Sequence, residues 1–212
     1  MSKLIAFPSA QLSRSSLRNV LKSSGFALQS LQSDPAIVCV LDSGLRVVYC
    51  NDAWNNFAAA NAGLDLKADA VLGVPILDVI SAPLKPFYAA GFSRVQRSSA
   101  MWEHDYECSS AESFRTFRMR VFPLSHSYVL AEHSLRIERP FDSDRPAILG
   151  NPATYENESG IIMMCCHCRR TKRIGRTEKE VWDWVPSYLK NLPKLVSHGL
   201  CSVCRAYFYP DV

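Results

Sequence analysis

The sequence predicts an α+β protein: a five-stranded antiparallel sheet with flanking helices, followed by a small C-terminal module stapled by cysteines. Three observations carry this. Two short β-rich runs precede a group of helical segments, and three further β-rich runs follow, an order that gathers helices on one side of an antiparallel sheet. Residues 140–160 then turn to Pro, Asp, Asn, Ser and Gly with no sustained apolar period, the composition of a linker. Five of the eight cysteines, Cys165, Cys166, Cys168, Cys201 and Cys204, crowd into residues 161–212, a stretch too short to bury much surface without a staple. The divisions are therefore residues 1–33, 34–139, 140–160 and 161–212.

In chain order, Leu17, Val20, Leu21, Leu28 and Leu31 recur at helical spacing and predict an amphipathic helix over residues 14–32, weakened by Gly25. Its apolar stripe needs a cover, either the following domain or the same helix of a second chain, and a homodimer is expected. Residues 36–41 and 46–50 read as a hairpin around Asp42-Ser43-Gly44. Asn51 or Asp52 can cap the next helix, in which Trp54, Phe57, Ala58 and Asn61 share a face. Pro75 and Pro86 sit where first-turn prolines belong, ahead of a short helix near residues 76–80 and a longer one near 87–96. Trp102, His104, Tyr106 and Cys108 then alternate with Glu103, Asp105 and Glu107, and Phe117, Met119 and Val121 with Arg118 and Arg120; residues 128–136 supply the last strand.

With 48% hydrophobic and 21% charged residues the chain has the composition of a globular protein, and a net charge of +4 does not by itself call for a nucleic acid or a membrane. No apolar run approaches the ~20 residues that span a bilayer, and residues 1–10 lack a secretory pattern, so a cytoplasmic location is expected. Reduced cysteines follow from that location. Clustered thiols then point to metal or redox chemistry, while Cys39, Cys50 and Cys108, lying in apolar or alternating runs, read as small core residues.

Asp34-Pro35-Ala36-Ile37 leading to Tyr49-Cys50-Asn51-Asp52-Ala53-Trp54, within this order of elements, resembles the PAS family, in which a first hairpin ends in an Asn at the start of a helix. Tyr106-Glu107-Cys108-Ser109-Ser110 followed by Phe117-Arg118-Met119-Arg120-Val121 is similar to a bacterial PAS subgroup. The resemblance spans residues 34–138 and implies a sheet cupping a small pocket, used to sense a ligand or to pair with another protein. Haem and flavin are not expected: no histidine lies on the long helix, and no reactive-cysteine flavin motif occurs. His104 reads as a core histidine with a lesser chance to meet a pocket ligand.

Cys165-Cys166-His167-Cys168 and Cys201-Ser202-Val203-Cys204 each contain Cys-x2-Cys. Two such knuckles can present Cys165, Cys168, Cys201 and Cys204 to one tetrahedral Zn²⁺. Cys166, His167 and His198 are the alternative ligands. Residues 178–189, with Val181, Trp182, Val185 and Leu189, read as a helix bridging the gap. The segment resembles a C-terminal module of some bacterial sensory and response-regulator proteins through Cys165-x2-Cys168-Arg169, the Trp182 and Tyr188 region, Ser197-His198-Gly199-Leu200-Cys201-x2-Cys204 and Tyr209-Pro210-Asp211, which implies a signalling context.

The expected function is non-catalytic signal transduction, acting through a protein partner. Nucleic-acid binding is the alternative, through Arg169, Arg170, Lys172 and Arg173 in a region with nine Lys or Arg against four Asp or Glu. A thiol redox switch is a further one. A closed four-thiolate site and the lack of a phosphate loop or nucleophile constellation speak against catalysis.

Overall fold

The computed structural model describes residues 13–61, 63–110, 113–140, 148–175, 180–191, 193 and 195–210. The start of the N-terminal segment, residues 141–147 of the linker, Arg176, Glu178 and Asp211 lie outside them. Compact packing divides the chain into two units, one of Met1–Val79, Gly91–Trp102 and Arg120–His133, the other of Ile80–Ala90, Glu103–Met119 and Ser134–Val212.

Five strands, β1 (Ile37–Leu41), β2 (Val47–Cys50), β3 (Trp102–Glu107), β4 (Ser113–Pro123) and β5 (Val129–Pro140), form one sheet in the order β2-β1-β5-β4-β3. β1 runs antiparallel to both neighbours, with Cys39 opposite Cys50 and Ala131. The hairpin closes as expected: the Asp42 carboxylate accepts the N–H groups of Gly44 and Arg46 at 2.9 and 2.8 Å, holding the turn from its own side chain. The predicted five-stranded sheet with flanking helices is the observed one.

In the first unit, the stripe expected to be a single helix is two, α1 (Arg14–Ser23) and α2 (Leu28–Gln32). Gly25 breaks it with φ +85°, a conformation glycine adopts without cost. Leu17, Val20, Leu21, Leu28 and Leu31 are all buried, packed with Val38, Val40, Leu124 and Leu130. The stripe is thus covered by its own chain, which corrects its use as the argument for a homodimer.

Helix α3 (Asp52–Ala60) starts at Asn51, whose side chain accepts the Trp54 N–H. A short α4 (Ala68–Val71), without a sequence signal, and a 3-10 turn at Ile76–Asp78 lead to α5 (Lys85–Ser98). Near the middle of α5, Gly91 lies flat against Trp102: a Cβ there would come within 2.2 Å of the indole.

In the second unit, α6 (Pro152–Tyr155) lies within the expected linker and contributes Tyr155, 2% exposed, to a core with Ile162, Met164, Val185 and Tyr188. Four short strands, β6 (Ile162–Cys165), β7 (Thr171–Lys172), β8 (Trp182–Asp183) and β9 (Val196–Gly199), form a second sheet in the order β8-β7-β6-β9, with β6 and β9 parallel. The helix expected over residues 178–189 is instead β8 followed by α7 (Pro186–Lys190). Pro186 explains the difference, because it keeps Val185 out of the helical region and can only open a helix. The chain closes with α8 (Ser202–Phe208).

Candidate metal centre

The ends of the parallel strands β6 and β9 bring the two knuckles together. Cys165 ends β6, and the chain folds back at once: Arg169 N–H reaches the Cys165 carbonyl at 3.1 Å, and Cys165 N–H the Arg170 carbonyl at 2.8 Å. Arg169 takes a left-handed φ of +61° to make this turn. On the other side, β9 leads to Cys201, which caps α8, and Cys204 lies in the first turn of that helix. The Cys166 N–H bonds the Gly199 carbonyl at 2.9 Å, tying one knuckle to the approach of the other.

The four predicted ligands converge. Sulfur atoms of Cys165, Cys168, Cys201 and Cys204 all lie within 4.8 Å of one another, the one such group among the described residues. Cys168 Sγ and Cys201 Sγ are 3.7 Å apart. That is nearly twice a disulfide bond, whereas four sulfurs placed tetrahedrally at ~2.3 Å from a zinc ion would be about 3.8 Å apart. Backbone donors already point at the sulfurs: Cys201 N–H to Cys165 Sγ and Cys204 N–H to Cys201 Sγ, both at 3.4 Å. Such donors stabilise thiolates and orient them.

Electrostatics favour a cation here. Hydrogen bonds from the Cys166, Cys168, Cys201 and Cys204 thiols hold the Cys165 sulfur far down toward the thiolate, while the same contacts push Cys168 and Cys204 up. Neighbouring S–H groups can stabilise one thiolate. Stabilising four requires a positive charge among them. All four sulfurs are buried or nearly so, with Cys168 the most exposed at 9%.

The alternatives stand elsewhere. Cys166 is not one of the convergent four; its thiol touches Cys165, and that contact and burial push its pKa up. His198 lies on β9 opposite Met164, exposed. His167 is 4% exposed and uses both ring nitrogens: Nδ1 is 2.6 Å from the Glu107 carbonyl oxygen and Nε2 2.7 Å from the Tyr209 hydroxyl. Sequence reasoning missed Glu107 and Tyr209. Alternation put Glu107 on an exposed face with Glu103 and Asp105, which do pair with Arg118 at 3.3 and 2.7 Å, yet Glu107 is 7% exposed. The Tyr209-Pro210-Asp211 ending was the signal available for Tyr209.

Of the four cations offered for nucleic acid, Lys172 is bound by Glu180, and Arg173 by Asp183, which also accepts the Tyr155 hydroxyl at 2.8 Å. Two of the four are thus paired with nearby carboxylates. His104 lies among the rings of Phe87, Tyr88 and Tyr209, a core histidine whose pKa burial lowers to about 4. Cys39 and Cys50 are core thiols, the former pushed up to about 12 by burial. No helix among the described residues is long and apolar enough to cross a membrane.

No protein-family model and no curated protein matches the sequence. Among solved structures, the chain is similar to the PAS domain of Bordetella pertussis BvgS, at 20% identity over 51% of this chain and 82% of that one, with a TM-score of 0.41. It is also similar to phage VqmA in its complex with DPO (15% identity, 51% and 50% covered, TM-score 0.39). A third is the PAS domain of nitrogen regulation protein NR(II) from Vibrio parahaemolyticus (16% identity, 51% and 95% covered, TM-score 0.34).

Proposed function

We propose that this protein is a non-catalytic signalling protein, in which a PAS-like sensory domain, sensing a small ligand or pairing with another protein, is joined to a module built on one structural zinc ion. The observation that carries the metal reading is the convergence of the Cys165, Cys168, Cys201 and Cys204 sulfurs within 4.8 Å of one another, with Cys168 and Cys201 3.7 Å apart. Zinc is the ion that a buried, all-sulfur, four-coordinate shell suits best in a reducing compartment. Such a shell has no position for water, which supports a structural role over a hydrolytic one. The sensory reading is supported by the antiparallel sheet and its order of two strands, helices and three strands, in which Asn51 opens the first helix after the hairpin.

Binding of the ion would hold the second sheet closed. That module's own apolar core is small, and a structural zinc can contribute an apparent ~10–16 kcal/mol, enough to order the knuckles. Arg169 and Arg170 flank the first knuckle and would offset the net negative charge of four thiolates around a divalent ion.

Elemental analysis of the full chain purified without chelator tests this. The expected result is one zinc per chain, lost in Cys168→Ser and Cys204→Ser and kept in Cys166→Ser and His198→Ala. Protein without zinc, or Cys168→Ser with full metal, refutes the reading. An absorbance and mass spectrum of the same protein should show neither haem nor flavin.

A further inference from the structure

His167 sits inside the first knuckle, between two sulfurs whose positions a metal would set, yet its own bonds lead away from the metal. A carbonyl oxygen can only accept, so the 2.6 Å contact to Glu107 places the imidazole proton on Nδ1. Nε2 then accepts from the Tyr209 hydroxyl at 2.7 Å, which leaves the Tyr209 oxygen to accept from the Tyr88 hydroxyl at 3.3 Å. The chain of bonds has one direction. It runs from the start of α5 through the residue after α8 into the knuckle, and out to the last residue of β3.

Its members are buried: His167 4% exposed, Tyr209 0%, Tyr88 8% and Glu107 7%. Rings close around them, with Phe208 stacked on the His167 imidazole at 5.3 Å and Phe87 edge-on to Tyr209 at 4.8 Å. Water has no ready access to replace a broken link, so losing one leaves a buried polar group without its partner.

We infer that His167 is a positioning residue that couples metal occupancy of the four-cysteine site to the order of β3 and the start of α5. The inference rests on the zinc reading above. Zinc fixes Cys165 and Cys168 and with them His167 between the two; when the ion leaves, the knuckle relaxes, the imidazole withdraws, and the Glu107 carbonyl and Tyr209 hydroxyl lose their bonds. Reciprocity requires the converse: whatever stabilises β3 and α5 in this arrangement tightens the hold on zinc by the same factor.

Hydrogen exchange of the full chain, followed by mass spectrometry in the zinc-loaded and chelator-treated states, tests the coupling, together with a zinc competition titration. Chelation should speed exchange in β3 and in residues 85–90 of the wild type. His167→Ala should keep one zinc per chain at an affinity about tenfold weaker, in line with outer contacts of metal sites, and show the faster β3 exchange with zinc still bound. His167→Asn, whose amide can keep the bond to Glu107, should restore part of both effects. Should His167→Ala fail to fold, Tyr209→Phe removes both bonds of the Tyr209 hydroxyl while keeping the ring, and the same two readouts apply. Unchanged zinc affinity in these variants, or β3 exchange indifferent to chelation, overturns the coupling while the zinc reading stands. Wild-type protein without metal overturns both.

Discussion

Asn51 uses both ends of its amide inside the first unit. Its oxygen accepts the N–H groups of Val38 and Trp54, both at 3.0 Å, and its nitrogen faces the carbonyls of Leu31, Asp34 and Ala36 at 3.1, 3.2 and 2.8 Å. One side chain therefore caps α3 and ties the end of α2 to the start of β1. Asn51→Ala leaves several buried groups unsatisfied and should cost about 3 kcal/mol in urea unfolding, well above an ordinary cap deletion. The cap was legible, because an Asn before an apolar-periodic run is a helix start. The three carbonyls were not, since they depend on α2 folding back. Histidines carry the second prediction at this scale. Burial lowers His104 and His133 to about 4 from 6.5, so between those values the unfolded chain binds more protons than the folded one. Stability should be full above pH 6.5 and fall as pH drops toward 4, by about 2–3 kcal/mol for His133 and less for the partly exposed His104. Urea midpoints at pH 7 and pH 4.5 measure the loss, which His133→Gln should reduce.

At the scale of elements, the covered stripe of α1 and α2 changes what mutation there should do. Leu21 is 0% exposed among Val38, Val40 and Leu130, so Leu21→Ala should destabilise the folded protein by about 2–5 kcal/mol, with no change of association state in sedimentation. Periodicity showed that these residues share a face; it could not show which surface the face meets. In α5, Gly91→Ala should cost about 1–3 kcal/mol in the same unfolding assay, because Trp102 is a rigid neighbour that must move to admit a methyl group. The strands of the large sheet were legible because alternation and turn residues mark them. The strands of the small sheet were not: β7 and β8 are two residues each, too short for a period, and the pairing of β6 with β9 joins segments that share no local signal.

At the scale of the whole molecule, the cysteine spacing picked out the four residues whose sulfurs converge, since two Cys-x2-Cys pairs are a specific pattern by themselves. The contacts made by His167 stayed hidden because they join residues 60 and 42 positions apart. The parallel register of β6 and β9 has a kinetic consequence. Neighbouring strands in a hairpin find one another quickly, but Ile162 and Val196 meet only after the whole segment between them has come round. Closing a loop of that length costs about 3 kcal/mol of chain entropy before any strand pairing offsets it. In the proposed site, a zinc ion held first by Cys165 and Cys168 would attract the two thiolates that the returning chain carries. Refolding of the second unit should therefore accelerate with free zinc up to a plateau, and a stopped-flow series over zinc concentration should find its slow phase governed by the ion.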